Sequence, residues 1–147
     1  MSTRYDTPHQ SELFTIRCIT RHTIHWIAES RLYAKVTNKY LRHIACMTHG
    51  TDYPYIPSII EHGLIPGGNG GERNCNHFSP YTPRDHRYHH TLRHRSNTWI
   101  FYRLSQCTTT YNMGFSANGY IMSDATISGD MIECIYWYLP QRPGSLK

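Results

Sequence analysis

The amino-acid sequence predicts an α+β domain, with an α/β arrangement as the alternative, built on mixed or antiparallel β-sheets with a few short helices. Three observations predict it. Strand-like runs recur along the chain and are separated by loops. One segment carries strong helix-boundary signals. The 147 residues contain no repeat and no linker long enough to divide them, which is one domain's worth of chain around one modest core.

Leu13–Ile19 (LFTIRCI) alternates apolar and polar residues and is rich in strand formers, so it predicts the first strand. Thr23–Leu32 predicts a short helix. His43–Met47 is a short apolar run and predicts a second strand, and His77-Phe78-Ser79 reads as the start of another. Thr98–Leu104, Asn118–Ser123 and Met131–Leu139 all have strand composition. The aromatics that end the last run are expected in the core, with packing on a partner lobe as the alternative. Tyr55–Gly63 predicts the clearest helix. Pro57 suits a first turn, where its missing N–H leaves no bond unmade; Ile56, Ile59 and Ile60 share a face; Gly63 can close the end in a left-handed conformation. Pro66–Gly71 (PGGNGG) predicts a mobile loop. The boundaries that follow are a flexible N-terminal segment at 1–12, a domain at 13–140 and a frayed tail at 141–147.

Composition narrows the function classes. Hydrophobic residues make up 39% and charged residues 17%, which excludes an intrinsically disordered chain. No apolar run approaches the roughly 18 residues that cross a bilayer, and the polar start lacks a signal peptide's apolar segment. The expectation is an intracellular, cytoplasmic monomer with no membrane partner. A net charge of +5, a pI near 9.0 and eleven histidines favour polyanionic partners such as RNA. Five cysteines with no CxxC pair argue against a disulfide framework and a zinc ribbon alike. His90 and His94 would share a helix face, but four arginines (Arg84, Arg87, Arg93 and Arg95) lie in or beside that stretch and disfavour a divalent ion, so no metal is expected.

Four stretches place polar clusters where a strand-like run meets a loop: Ile16–Thr23, Met47–Pro66, Gly71–Pro80 and Ser116–Ser123. Singly, each has an ordinary explanation. Arg17 can point to solvent, His49-Gly50-Thr51 can be a strand-end turn, Gly63 a helix cap, and Asn118-Gly119 a hairpin turn. The glycine-rich Gly67–Gly71 run is not a dinucleotide-binding fingerprint, because no strand precedes it and no helix follows.

Together and in this order the stretches resemble the RNA 2'-phosphotransferase family of the KptA type, NAD-dependent enzymes of the ADP-ribosyltransferase superfamily. The resemblance runs from about residue 14 to 137. It rests on Arg17 with His22 five residues later, on His49-Gly50-Thr51 followed by a helix and Gly63-Leu64, and on Arg73 leading into His77-Phe78-Ser79. A Trp-bearing strand (Thr98–Leu104) and the Asn118-Gly119 turn complete it. The sequence also departs from the pattern. Arg21 stands where the family has glycine before its first histidine, and Cys75 stands where it commonly has a histidine. Only about a dozen residues precede the first matching strand, so the family's separate N-terminal lobe, with its Arg-His pair, is expected to be missing.

The resemblance implies an ADP-ribosyltransferase-like fold with NAD as co-substrate and RNA carrying a 2'-phosphate as partner, as in tRNA splicing. It implies that Arg17 and Arg73 act on the transferring phosphate. His49, Gly50 and Thr51 would line the nicotinamide and its ribose, His77, Ser79, Asn118 and Gly119 would contribute to the same cleft, and His22 would approach the pyrophosphate or adenosine. The reaction implied gives ADP-ribose 1''-2''-cyclic phosphate and nicotinamide. The alternatives are ADP-ribosylation of a nucleic-acid phosphate or a protein, an RNA-binding module that stacks bases on its twelve tyrosines, and an inactive relative.

Overall fold

Alternation in TWIFY decides the centre of the first sheet. In the computed structural model, which describes residues 34–68, 74–90 and 96–137, Thr98, Ile100 and Tyr102 are buried while Trp99 and Phe101 are half-buried. The expected elements at Leu13–Ile19 and Thr23–Leu32, the 1–12 segment, the 141–147 tail and most of the glycine-rich run lie outside the described residues. The described strands are β1 (Ala34–Lys35), β2 (Thr48–Thr51), β3 (Asn76–Phe78), β4 (Thr98–Tyr102), β5 (Gly114–Phe115), β6 (Ile121–Ser123) and β7 (Ile132–Trp137). The described helices are α1 (Asn38–Leu41), α2 (Ile56–His62) and α3 (Leu104–Thr110).

The strands form two antiparallel sheets, in the orders β2-β4-β7 and β1-β5-β6-β3, and no described pairing is parallel. The fold is therefore mixed α+β with short helices. The two sheets meet at one reciprocal backbone pair: the Thr48 amide donates to the Ser79 carbonyl at 2.9 Å and the Ser79 amide to the Thr48 carbonyl at 2.8 Å. The core holds Met47, Phe78, Ile100, Tyr102, Ile121 and Ile127, all at most 2% exposed. Phe78 and Tyr102 meet edge to face at 5.4 Å between centroids, which adds a directional contact to the area they bury.

Helix α2 forms where its signals place it, with Pro57 in the first turn and Ile56 and Ile59 buried. Two details differ. Ile60 is 53% exposed instead of sharing the buried face. Gly63 has the positive φ of 82° that favours glycine, but its ψ of 172° takes it out of the left-handed helical region. The reason is its neighbour: a Cβ on Gly63 would come within 2.7 Å of the Ile127 carbonyl oxygen, because Leu64 and Ile127 pair there.

Two further expectations are corrected and one alternative is set aside. His43–Met47 is not a strand; the ladder to β4 begins at Thr48, where the register to Phe101 starts. His49-Gly50-Thr51 consequently lies inside β2 and is not a strand-end turn. Tyr136 and Trp137 are 60% and 55% exposed rather than buried, because the row they close is at the end of the sheet, opposite Trp99 and Thr98.

Asn76 ties the second sheet to the loops beside α2. It is buried, and its amide nitrogen donates to the carbonyls of Leu64 (2.7 Å) and Ala125 (3.0 Å). Asn76→Ala is expected to lower stability by about 1–3 kcal/mol. Asn76→Asp is expected to lose more at neutral pH, because a carboxylate would face two carbonyl oxygens. That carboxyl's folded pKa would be raised, so the lost stability should return as pH falls and the group protonates. Urea unfolding at neutral and acidic pH checks both, and an N76D protein no less stable than N76A at neutral pH would contradict the assignment.

Candidate functional site

The His-Gly-Thr and His-Phe-Ser stretches, far apart in sequence, meet at the seam between the sheets. Thr48 and Ser79 exchange the backbone pair already described, and His49 Nδ1 lies 3.0 Å from the His77 carbonyl oxygen, at hydrogen-bonding distance. The His49 ring also meets Phe78 edge to face, at 5.8 Å. The pleat then separates the two imidazoles. Side chains alternate along a strand, so His77 and Ser79 point away from the face that carries Asn76 and Phe78. On that other side the His77 ring meets Tyr120 edge to face at 5.7 Å, and its Nδ1 lies 3.1 Å from the Cys75 carbonyl oxygen. Ser79 is fully buried, and its hydroxyl accepts from the Tyr81 amide at 3.1 Å.

Asn118 and Gly119 form the β5–β6 hairpin turn. Gly119 has φ 82°, its amide donates to the Ser116 carbonyl, and the Ser116 amide donates back to Tyr120. The hairpin reaches the seam through Tyr120. Thus the structure brings the two stretches together through the Thr48–Ser79 backbone pair and the His49 contact with the His77 carbonyl, with the His49 and His77 rings on opposite faces, and it attaches the Asn118-Gly119 turn by one ring contact. Arg17, His22 and Arg73 lie outside the described residues.

Gly50 has a local reason to be glycine. A Cβ there would lie 3.0 Å from the Ser96 hydroxyl and 3.3 Å from that of Tyr88. Gly50 sits opposite Trp99 in the ladder, so Tyr88 and Ser96 close over this face of β2. Burial pushes the Tyr88 phenol up from its ordinary pKa, so it stays protonated and can donate. The segment carrying Tyr88 is pinned nearby: Arg87 holds Asp85 bidentately at 3.0 and 2.7 Å and lies 4.1 Å over the Tyr81 ring. The Arg87 hydrogen bonds hold the Asp85 carboxyl well below its usual range. Beneath, the Cys46 thiol lies 3.2 Å from the Thr48 hydroxyl and burial raises its pKa, so it is not an activated thiolate.

Two hollows among the described residues lie away from the seam. One, of about 400 Å³, lies against α3 and is lined by Leu41, Arg103, Leu104, Ser105, Gln106 and Glu133. The other, of about 20 Å³, lies on the outer side of β5 and β6. Among the described residues no group of three or more His, Cys, Asp or Glu side chains is placed to hold a metal ion, and no helix is long and apolar enough to cross a membrane.

Tyr88, Ser96 and Tyr120 were missed by the sequence reading. Tyr120 had a signal, since it shares the parity of the strand residue Met122 just after an Asn-Gly turn. Tyr88 and Ser96 had none, because their place at Gly50 depends on a long-range return of the chain. A scan against protein-family models finds no match to this chain. A search of curated proteins finds no significant match.

Proposed function

We propose that this protein is an NAD-dependent RNA 2'-phosphotransferase whose NAD-binding groups gather at the seam between two sheets in an ADP-ribosyltransferase-like arrangement. The observation that carries this reading is the meeting of His49-Gly50-Thr51 with His77-Phe78-Ser79, joined by the Thr48–Ser79 pair and by the bond between His49 and the His77 carbonyl. The groups at hand suit the nicotinamide riboside half of NAD. Imidazole and hydroxyl groups can bind amide and ribose hydroxyls.

In the proposed reaction the RNA 2'-phosphate oxygen forms a bond to the anomeric carbon of the nicotinamide ribose as the bond to nicotinamide breaks. The ribose 2''-hydroxyl then attacks the phosphorus, its proton leaves with the RNA 2'-oxygen, and the phosphate departs as ADP-ribose 1''-2''-cyclic phosphate. The first nucleophile is already an anion, so positioning matters more than a strong base. In the second step charge grows on phosphoryl oxygens, which guanidinium groups match with paired donors; Arg17 and Arg73 take this role.

The test is nicotinamide release from NAD with and without a 2'-phosphorylated oligoribonucleotide, followed by mass spectrometry of the RNA. Release that depends on the oligonucleotide, with loss of its phosphate, is expected. A stable ADP-ribose adduct would favour simple ADP-ribosylation, and no release would overturn both. His49→Ala is expected to weaken NAD binding about tenfold, the size of one lost hydrogen bond to a polar ligand; equal calorimetric affinities would remove His49 from the site.

A further inference from the structure

Tyr102 is 2% exposed, and its hydroxyl is buried with no hydrogen-bond partner among the described residues. A hydroxyl buried in this way forfeits the hydrogen bonds that water gave it in the unfolded chain. Its surroundings offer no remedy. Tyr102 belongs to an apolar cluster that includes Met47, Phe78, Ile100, Met113 and Ile121. The titratable group that acts on it is the Cys107 thiol, itself fully buried, and a thiol is only a weak acceptor. A buried water would need about two to four polar partners, which so apolar a cluster does not supply. Burial raises the phenol's pKa, so the group stays protonated and keeps a proton it cannot share.

The position of Tyr102 gives that cost a direction. Its backbone continues the β2–β4 ladder one row beyond the pairing of Thr48 with Phe101: the Tyr102 amide donates to the Met47 carbonyl at 2.9 Å. Its ring meets Phe78 of β3, in the other sheet, edge to face at 5.4 Å. Met47 precedes Thr48 and Phe78 precedes Ser79, the two residues whose backbones join the sheets. Tyr102 therefore contacts each side of the join one residue before it. The sheets cannot part there without drawing Phe78 off the Tyr102 ring.

From this placement we infer that Tyr102 is a conformational device: its unsatisfied hydroxyl destabilises the closed seam relative to a state in which the sheets part and water reaches the ring. In the closed state the hydroxyl has no partner; in the parted state it has water. The difference favours opening. Phenylalanine keeps the ring and its packing on Phe78 but removes the hydroxyl, so it removes the bias and leaves the contacts that hold the seam shut. The inference concerns motion at the seam and is independent of which molecule binds there.

The experiment is amide hydrogen exchange, followed by NMR on the full chain, in wild type and Tyr102→Phe, with urea unfolding of both. The Thr48 and Ser79 amides, each bonded to the other's carbonyl, report opening of the seam. Both are expected to exchange about tenfold more slowly in Tyr102→Phe, within the range that one unsatisfied buried hydroxyl costs. The urea midpoint is expected to rise. The Gly119 amide, bonded to the Ser116 carbonyl within the β5–β6 turn, should exchange at the wild-type rate, because that turn can fray while Tyr102 stays covered. A lower urea midpoint in Tyr102→Phe would overturn the inference by showing that the hydroxyl has a partner. Unchanged exchange at Thr48 and Ser79 would overturn it too, since opening would then not reach the hydroxyl. So would equal slowing at Gly119, which would make the effect general and not a property of the seam.

Discussion

Gly129→Ala is expected to destabilise the fold by about 3 kcal/mol, at the upper end of what overpacking usually costs. Gly129 opens the short 3-10 turn Gly129–Met131 and lies directly on the backbone of α2. A Cβ there would overlap the Ile60 carbonyl oxygen and would stand 2.9 Å from its carbon and 3.1 Å from the Ile60 Cα. Those atoms belong to a helix backbone, so no side-chain rotation can relieve the overlap. Either α2 or the turn must move. Movement of the turn would strain the Leu64–Ile127 pairing next to it and the contact of Ser128, whose amide donates to the Tyr111 hydroxyl at 3.1 Å. Gly68→Ala is the control. Unlike Gly129 it has a positive φ, at 55°, and nothing lies within 4 Å of its added Cβ, so only the conformational cost of about 1 kcal/mol applies. Urea unfolding of both variants decides the matter, and a Gly129→Ala protein within experimental error of the wild type would show that the turn does not pack on α2 as described.

The second large effect is catalytic. Arg73→Ala and Arg17→Ala are each expected to lower the rate of RNA dephosphorylation by about a hundredfold to a thousandfold, the loss found when one preorganised charge donor is removed from a developing oxyanion. Lysine at either position should recover only part of that rate, because an ammonium is a point charge and cannot hold two phosphoryl oxygens at once. Affinity for NAD alone should change little, since the arginines are assigned to the phosphate of the RNA. The measurement is single-turnover release of dephosphorylated oligonucleotide at saturating NAD. Wild-type rates in both alanine variants would end the assignment of these two residues and leave the proposed role of the seam to be judged on His49.

Several elements were legible in the sequence for simple reasons. Helix α2 carried its own punctuation: Pro57 at the start, Ile56 and Ile59 on one face and Gly63 after the end. β4 carried strict alternation, and the Asn118-Gly119 turn carried the residues such a turn demands. The missed elements lacked local signals or carried misleading ones. β1 and β5 are two residues long, too short for any periodicity to show. Helix α3 reads LSQCTTT, and its threonines favour strands. It forms because Cys107 is fully buried and Leu104 packs against the core, and because its hydroxyls bond backward along the helix: Thr108 donates to the Leu104 carbonyl at 3.0 Å and Thr109 to that of Ser105 at 3.1 Å. Of the candidate site, the residue types were legible and their grouping was expected. The separation of the two imidazoles was not, since it depends on which side of β3 faces the core.

The link between the two sheets has a mechanical consequence. Among the described residues, Thr48 and Ser79 provide the backbone connection between them, and both amides of that pair are spent on each other. The angle between the sheets is thus governed at a single fulcrum, flanked by His49 on one side and His77 on the other. Any molecule wedged there would push on both sheets at once.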